Sequence, residues 1–223
     1  MIDVIILAGG KGTRMGENVS KPLVLARNKE IIAWQLDNLY RNYSGLIGKV
    51  IVAISFRGQD VQTFLSDKYP NKDIKISFEE IPLGTGGAIK QAAALAESRR
   101  VIVFNVDDIN DVDLNDFCFS EKNRVVVVRP ILPFGLIKER DGWAEFVEKP
   151  RLEDVWISSG WYFLDRQEIM DKFPNSGSVE YDVFQKGLMQ LQVYYHKGFW
   201  QPLNSKKELE NFSTEELPEK LNF

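Results

Sequence analysis

The residues best suited to chemistry gather in one stretch, Leu7-Ala8-Gly9-Gly10-Lys11-Gly12-Thr13-Arg14-Met15-Gly16, followed by Ser20-Lys21-Pro22-Leu23. Four glycines within residues 9–16 let the backbone pass close to a ligand. A glycine-rich turn after a strand presents successive N–H groups to an anion. Arg14 and Lys21 add two cations to the same turn. Together these features read as a cradle for a nucleoside triphosphate, with a glycine-rich surface turn as the alternative. Two commoner phosphate loops are excluded. No Gly-x4-Gly-Lys-Ser/Thr string occurs, and Gly10, Gly12 and Gly16 are spaced one residue too widely for the dinucleotide fingerprint.

The elements that must position this loop follow from apolar periodicity. Residues 2–7 are an apolar run that reads as a buried first strand. Ile32, Leu36, Leu39 and Tyr43 share one face of a helix over 31–42, and Val61, Phe64, Leu65 and Tyr69 do so over 59–69. Val50–Ile54 is a continuous apolar run suited to a strand buried on both faces. Ile74, Ile76 and Phe78 alternate with polar residues, as on a peripheral strand. Pro82–Gly87 is a second glycine-rich turn, followed by a small-residue helix through Ala88, Ile89, Ala92, Ala93 and Ala96. Val101–Val106 is another strand, ending in Asp107-Asp108. Strands are further expected over 125–128, 143–147, 161–164 and 192–195, and helices over 180–191 and from Lys206.

This alternation predicts an α/β fold: a Rossmann-like, three-layer α/β/α arrangement around a central, mostly parallel mixed sheet. In such sheets ligands bind beyond the carboxyl ends of the strands. Both glycine turns and Asp108 lie just past strand ends, so three placements converge on one edge.

The chain has 223 residues, 44% of them hydrophobic and 27% charged, within the range of a single α/β domain. A net charge of −4 argues against nucleic acid as a partner. No apolar stretch approaches the ~20 residues needed to span a bilayer, and the N-terminus lacks a signal-peptide pattern, so no membrane association and a cytoplasmic setting are expected. The single cysteine, Cys118, cannot form an internal disulfide. The single histidine, His196, removes Ser-His-Asp triads and multi-histidine zinc sites, and reads as structural.

The first loop with its Lys-Pro-Leu resembles the signature of the sugar-1-phosphate nucleotidyltransferases. Further matches stand in that family's order: Leu83-Gly84-Thr85-Gly86-Gly87-Ala88, Val106-Asp107-Asp108, Phe134-Gly135, Glu148-Lys149-Pro150, Ser158-Ser159-Gly160-Trp161-Tyr162 and Trp200. The resemblance covers residues 1 to about 210. It implies one domain over 1–223, with a nucleotide half over about 1–110, a sugar half over about 111–205, and no room for the C-terminal β-helix of some relatives. It implies that a nucleoside triphosphate and a sugar-1-phosphate are the partners, with Mg²⁺ as cofactor; a homo-oligomer stays open.

For the site, the resemblance implies catalytic roles for Arg14, Lys21, Asp108 and Lys149, with Asp108 as metal ligand. Nucleotide contacts fall to Leu7, Ala8, Gly9, Gly10, Gly12, Thr13, Arg14, Lys21, Pro82, Gly84, Thr85, Gly87 and Asp107. Sugar contacts fall to Gly135, Glu148, Lys149, Ser158 and Glu180, although Glu180 also reads as a simple helix N-terminal charge. Glycine at 87, where thymine-reading relatives carry glutamine, favours a purine. The second glycine turn looks most like that of guanylyltransferases acting on mannose- or manno-heptose-1-phosphate. Uridylyltransferases of muramic acid phosphate are also similar. A cytidylyltransferase of a phosphorylated alcohol is kept open by Trp143, Trp156 and Trp161.

Three departures stand out. Asp107 replaces the family's usual glycine. Ser158 stands where an asparagine commonly contacts the sugar. Trp200-Gln201-Pro202-Leu203 carries proline in place of the second metal aspartate. Pro202 opens a further reading: a degenerate member that binds nucleotide or sugar phosphate without turnover.

Overall fold

The computed structural model describes residues 1–12 and 20–222. In the first half, β1 (Ile2–Leu7) is followed by a small ribbon of β2 (Leu25–Ala26) and β3 (Lys29–Glu30), then α1 (Ile31–Asn42), β4 (Ile47–Ile54), α2 (Gly58–Lys68), β5 (Ile74–Phe78), α3 (Gly84–Ala93) and β6 (Arg100–Asn105). The second half runs β7 (Asp108–Asn110), α4 (Leu114–Phe117), β8 (Arg124–Val128), β9 (Leu136–Arg140), β10 (Trp143–Val147), β11 (Ile157–Asp165), α5 (Arg166–Lys172), β12 (Gln192–Tyr195), β13 (Trp200–Pro202) and α6 (Lys206–Thr214).

Seven strands form the central sheet in the order β12-β8-β11-β6-β1-β4-β5. β1 pairs in parallel with β4 and β6, β4 with β5, and β12 with β8. Only β11 runs antiparallel, between β6 and β8. The sheet is mixed and mostly parallel, as the alternation of elements predicts.

Successive residues of β1 serve opposite faces, which a continuous apolar run allows. Val4 and Ile6 join α1 and Phe212 in one core, and Ile5 joins α3 and α5 in the other. The buried face of α3 consists of Ala88, Ile89, Ala92 and Ala93, so the helix can approach the sheet closely. Helices on both faces make the three layers.

One predicted element is shorter than its periodicity suggests. Residues Glu180–Phe184 form a single π-helical turn rather than a helix to residue 191. Gly187 adopts φ +68°, a left-handed conformation that terminates a helix. A hairpin outside the main sheet joins β9 and β10 through Asp141 (φ +51°) and Gly142 (φ +83°), a two-residue turn with positive φ at both positions.

Candidate active site

A cavity of about 300 Å³ opens at the carboxyl ends of the parallel strands. Leu7, Gly9 and Gly10 line it from the end of β1, Ser55 from β4, Glu79 from β5, and Asn105, Val106 and Asp107 from β6. Pro82, Gly84, Thr85 and Ala88 close it from the start of α3, and Lys21 reaches in from the segment after the first loop. At the start of α3 the Leu83 N–H donates to Glu79 Oε2 at 2.9 Å and the Gly86 N–H to the Gly177 carbonyl at 2.9 Å.

Of the predicted nucleotide residues, Leu7, Gly9, Gly10, Lys21, Pro82, Gly84, Thr85 and Asp107 therefore converge on one cavity. Ala8 is buried beside it and continues the pairing of β1, its N–H donating to the Ala53 carbonyl at 2.8 Å. Thr13 and Arg14 lie outside the described residues. Gly87 differs from expectation. It does not line the cavity, and a Cβ there would stand 2.5 Å from the Asn175 carbonyl oxygen and 2.8 Å from Leu83 Cβ. Gly84 meets the same neighbouring loop, with a Cβ position 2.5 Å from the Gly177 oxygen. The room expected at Gly87 for a base is filled by the protein's own backbone, and the motif's glycines let α3 dock against residues 174–177.

Asp108 begins β7 immediately after a turn at residues 106–107 and is 8% exposed. Its Oδ2 accepts a hydrogen bond from Asn105 Nδ2 at 3.1 Å. Burial and the nearby Asp107 carboxylate push its pKa up to about 7. Burial likewise raises Glu79, whose Oε2 accepts from the Leu83 N–H at 2.9 Å.

The turn that presents Asp107 and Asp108 is held from two sides. Gln35 on α1, 2% exposed, donates to the carbonyls of Val106 (3.0 Å) and Asp108 (3.1 Å). Trp161 Nε1 donates to the same Asp108 carbonyl at 3.1 Å. Gly160, at φ +76°, packs against the carboxylate: a Cβ there would lie 2.3 Å from Asn105 Nδ2 and 2.6 Å from Asp108 Oδ2. Sequence reading assigns no role to Gln35, Glu79 or Asn105. A polar residue on the apolar face of α1 is the one available signal for Gln35. Trp161 is core, 1% exposed and stacked on Phe104 at 3.9 Å, so it supplies no acceptor pocket.

Lys21 contacts the Asp107 carboxylate and donates to Asn204 Oδ1 at 2.7 Å. Behind this group β13 pairs antiparallel with β7, and Pro202 is the strand partner of Asp108. The position where the resemblance expects a second aspartate is thus beside Asp108, and proline occupies it.

The predicted sugar residues are more dispersed. A Cβ on Gly135 would lie 3.2 Å from Glu148 Oε2, so these two residues adjoin. Lys149, at φ +44°, has its ammonium 3.6 Å from Glu148 Oε1. It lines a second cavity, of about 420 Å³, with Arg151, Trp200 and Pro202. Ser158 is exposed, its hydroxyl 3.1 Å from the Tyr162 hydroxyl. Glu180 turns instead to α3: its Oε2 accepts from Thr85 Oγ1 (2.9 Å) and Ser178 Oγ (2.7 Å), beside the first cavity. His196 is structural, with Nε2 3.0 Å from both Asp111 Oδ1 and the Phe199 carbonyl.

Lys21 and Asp107 thus line the cavity at the strand ends, with Asp108 buried next to Asp107. The nucleotidyl transferase family model matches residues 3–208. The chain belongs to the nucleotidyl transferase family. It is 27% identical over 204 residues to the D-glycero-alpha-D-manno-heptose 1-phosphate guanylyltransferase of Campylobacter jejuni, covering 88% of this chain and 87% of that protein. It is 24% identical to the glucose-1-phosphate cytidylyltransferase of Salmonella typhimurium, covering 92% and 91%. The crystal structure of HddC from Yersinia pseudotuberculosis complexed with GMP-PN superposes with a TM-score of 0.78 at 26% identity, covering 96% and 98%. The family acts on nucleoside triphosphate and sugar-1-phosphate substrates. No helix among the described residues is long and apolar enough to cross a membrane.

Proposed function

We propose that the protein transfers a guanylyl group from GTP to a manno-configured sugar-1-phosphate, mannose- or manno-heptose-1-phosphate. The observation that carries this reading is the cavity at the strand ends that gathers Gly9, Gly10, Lys21 and Asp107 with Pro82, Gly84 and Thr85 at the start of α3. Guanylyl specificity is supported by the Leu83–Ala88 motif and by the likeness to a manno-heptose-phosphate guanylyltransferase.

A phosphate oxygen of the sugar-1-phosphate attacks the α-phosphorus. A new P–O bond forms, the bond from the α-phosphorus to the bridging oxygen breaks, and pyrophosphate leaves with the electron pair. The nucleophile is already ionised at neutral pH, so no protein base is required. The protein's work is positioning and charge neutralisation. Lys21, and Arg14 on the first loop, compensate the triphosphate's charge. Lys149 pairs with the sugar phosphate, and Glu148 beside Gly135 accepts hydrogen bonds from sugar hydroxyls.

The donor set fits Mg²⁺. Asp107 offers a hard carboxylate at the cavity, with the Asp108 carboxylate buried next to it. Among the described residues no group of three or more histidine, cysteine or carboxylate side chains gathers to hold a metal. Mg²⁺ usually takes one or two protein carboxylates and completes its shell with substrate phosphates and water. When bound, the ion supplies further charge neutralisation on the phosphates.

A pyrophosphate-release panel tests the reading by crossing GTP, UTP, CTP and dTTP with mannose-, glucose-, manno-heptose- and muramic-acid-phosphates. Release with GTP and a manno-configured acceptor is expected. Preference for CTP or UTP would overturn the guanylyl assignment within the same chemistry. Silence in every well would favour a binding-only protein.

A further inference from the structure

The second cavity, of about 420 Å³, is built from the segment after β8, the segment between β10 and β11, β13 and the start of α6. Pro202 lines it and is the strand partner of Asp108, so it borders the nucleotide site. Among the described residues four cations line it, Arg129, Lys149, Arg151 and Lys207, against one carboxylate, Glu208. That balance runs against the whole chain, which has 28 basic and 32 acidic residues. His196 also lines the cavity and is held by Asp111.

Existing partners separate the four cations. Arg129 contacts the Glu153 carboxylate, and its guanidinium lies 4.8 Å from the centroid of the Trp156 ring. Lys149, 3.6 Å from Glu148 Oε1, pairs with the anomeric phosphate in the proposed reaction. Glu208 is engaged at the start of α6, where its Oε2 accepts from the Asn204 N–H at 2.8 Å and from Ser205 Oγ at 2.9 Å. Among the described residues, the side chains of Arg151 and Lys207 form no ion pair or hydrogen bond. Arg151 is nevertheless fixed through its backbone. The Leu132 N–H donates to the Pro150 carbonyl at 2.9 Å, the Leu152 N–H donates to the Pro130 carbonyl at 3.0 Å, and Ile131 and Arg151 form a β-bridge. Leu132, Pro133, Ile157 and Trp200 supply apolar walls. A cleft with charges of one sign and low-dielectric walls concentrates the opposite charge.

Resting on the nucleotidyltransferase reading, we propose that the acceptor carries a second anionic group, remote from its anomeric phosphate, and that Arg151 and Lys207 bind it in this cavity. Lys149 and Arg151 stand two residues apart, at most about 7 Å between Cα atoms. That is the scale of one pyranose ring with a charged substituent at each end. Arg151 offers a planar fork that matches the paired oxygens of a phosphate or a carboxylate, and Lys207 adds a point charge. The apolar walls suit the ring between the two charges. A neutral sugar would leave both cations without a counter-charge. The acceptor is thus narrowed from a sugar-1-phosphate to an acidic one.

Pyrophosphate release by the full chain tests this in excess Mg²⁺, with GTP, UTP, CTP or dTTP. The acceptors are mannose-1-phosphate, mannose-1,6-bisphosphate and mannuronic acid 1-phosphate, with their three gluco counterparts in parallel. An acidic acceptor should exceed its neutral parent in kcat/KM by at least about tenfold, mainly through KM. Preference for the bisphosphate identifies the second group as a phosphate, and preference for the uronic acid identifies a carboxylate. Arg151→Ala should bring the ratio of acidic to neutral acceptor to within about twofold of one, Lys207→Ala should lower it partway, and Arg151→Lys should keep part of it. A merely structural role would lower both acceptors together and leave the ratio unchanged. A wild-type ratio retained in both alanine variants therefore overturns the assignment. So does a wild-type protein that uses neutral acceptors as well as acidic ones, or better. No release from any triphosphate with any acceptor refutes the nucleotidyltransferase reading itself, and this inference falls with it.

Discussion

Gly160 offers the sharpest test of how the fold builds Asp108. It stands at φ +76° in β11, and an added Cβ would lie 2.3 Å from Asn105 Nδ2 and 2.6 Å from Asp108 Oδ2. Gly160→Ala therefore imposes two costs. Left-handed backbone costs a non-glycine residue about 1–2 kcal/mol. The methyl also displaces the Asn105–Asp108 contact, and a hydrogen bond to a charged group is worth about 1.5–3 kcal/mol. The expected loss is about 3–5 kcal/mol, a fall in melting temperature on the order of 10 °C for a chain of this size. Gly142 supplies the control. It has a similar φ of +83°, but no atom lies within 4 Å of its Cβ position. Gly142→Ala should lose only the backbone term, about 1–2 kcal/mol. Urea denaturation of both variants and the wild type, with pyrophosphate release on the same samples, separates the terms. Gly160→Ala should also lose most of its turnover at saturating substrate, and Gly142→Ala should keep it. Equal destabilisation of the two variants would refute the claim that Gly160 is required by the Asn105–Asp108 pair.

Asp108→Asn should stabilise the metal-free protein while abolishing turnover. The folded pKa of about 7 lies above the ordinary 3.8, so the native state holds a proton that the unfolded chain has released. Native stability therefore falls as pH rises between those values, and the variant's advantage should grow from near zero at about pH 4 to about 2–4 kcal/mol at about pH 8; urea melts in EDTA showing no such trend would count against it. Gly87→Gln should destabilise the docking of α3 on residues 174–177 rather than switch base preference. A well-folded variant with altered triphosphate selectivity would return Gly87 to the base subsite.

Much of the fold is legible in the sequence. Strands with both faces buried, such as Val50–Ile54, must be apolar at every position, and helices such as Ile31–Asn42 must be apolar on one stripe, so both leave periodic marks. The end of β6 is equally readable, because the apolar run Val101–Val106 stops at the acidic pair Asp107-Asp108. The π-helical turn at Glu180–Phe184 is not, since a positive φ at Gly187, rather than apolar periodicity, ends it.

The sequence by itself determined the family and the edge of the sheet at which the first glycine turn, Lys21 and Asp107 meet. Local spacing after a strand places these residues with little help from the rest of the chain. Tertiary structure alone decided what each glycine is for. Gly84 and Gly87 answer to Gly177 and Asn175, some 90 residues away, and Gly160 answers to Asn105 and Asp108. It also decided that Gln35 and Trp161 hold the Asp108 carbonyl, that Pro202 stands opposite Asp108, and that Lys21 rests between Asp107 and Asn204. Each is a contact between segments distant in the chain. Such contacts follow from how the layers pack, and packing leaves no period in a sequence to read.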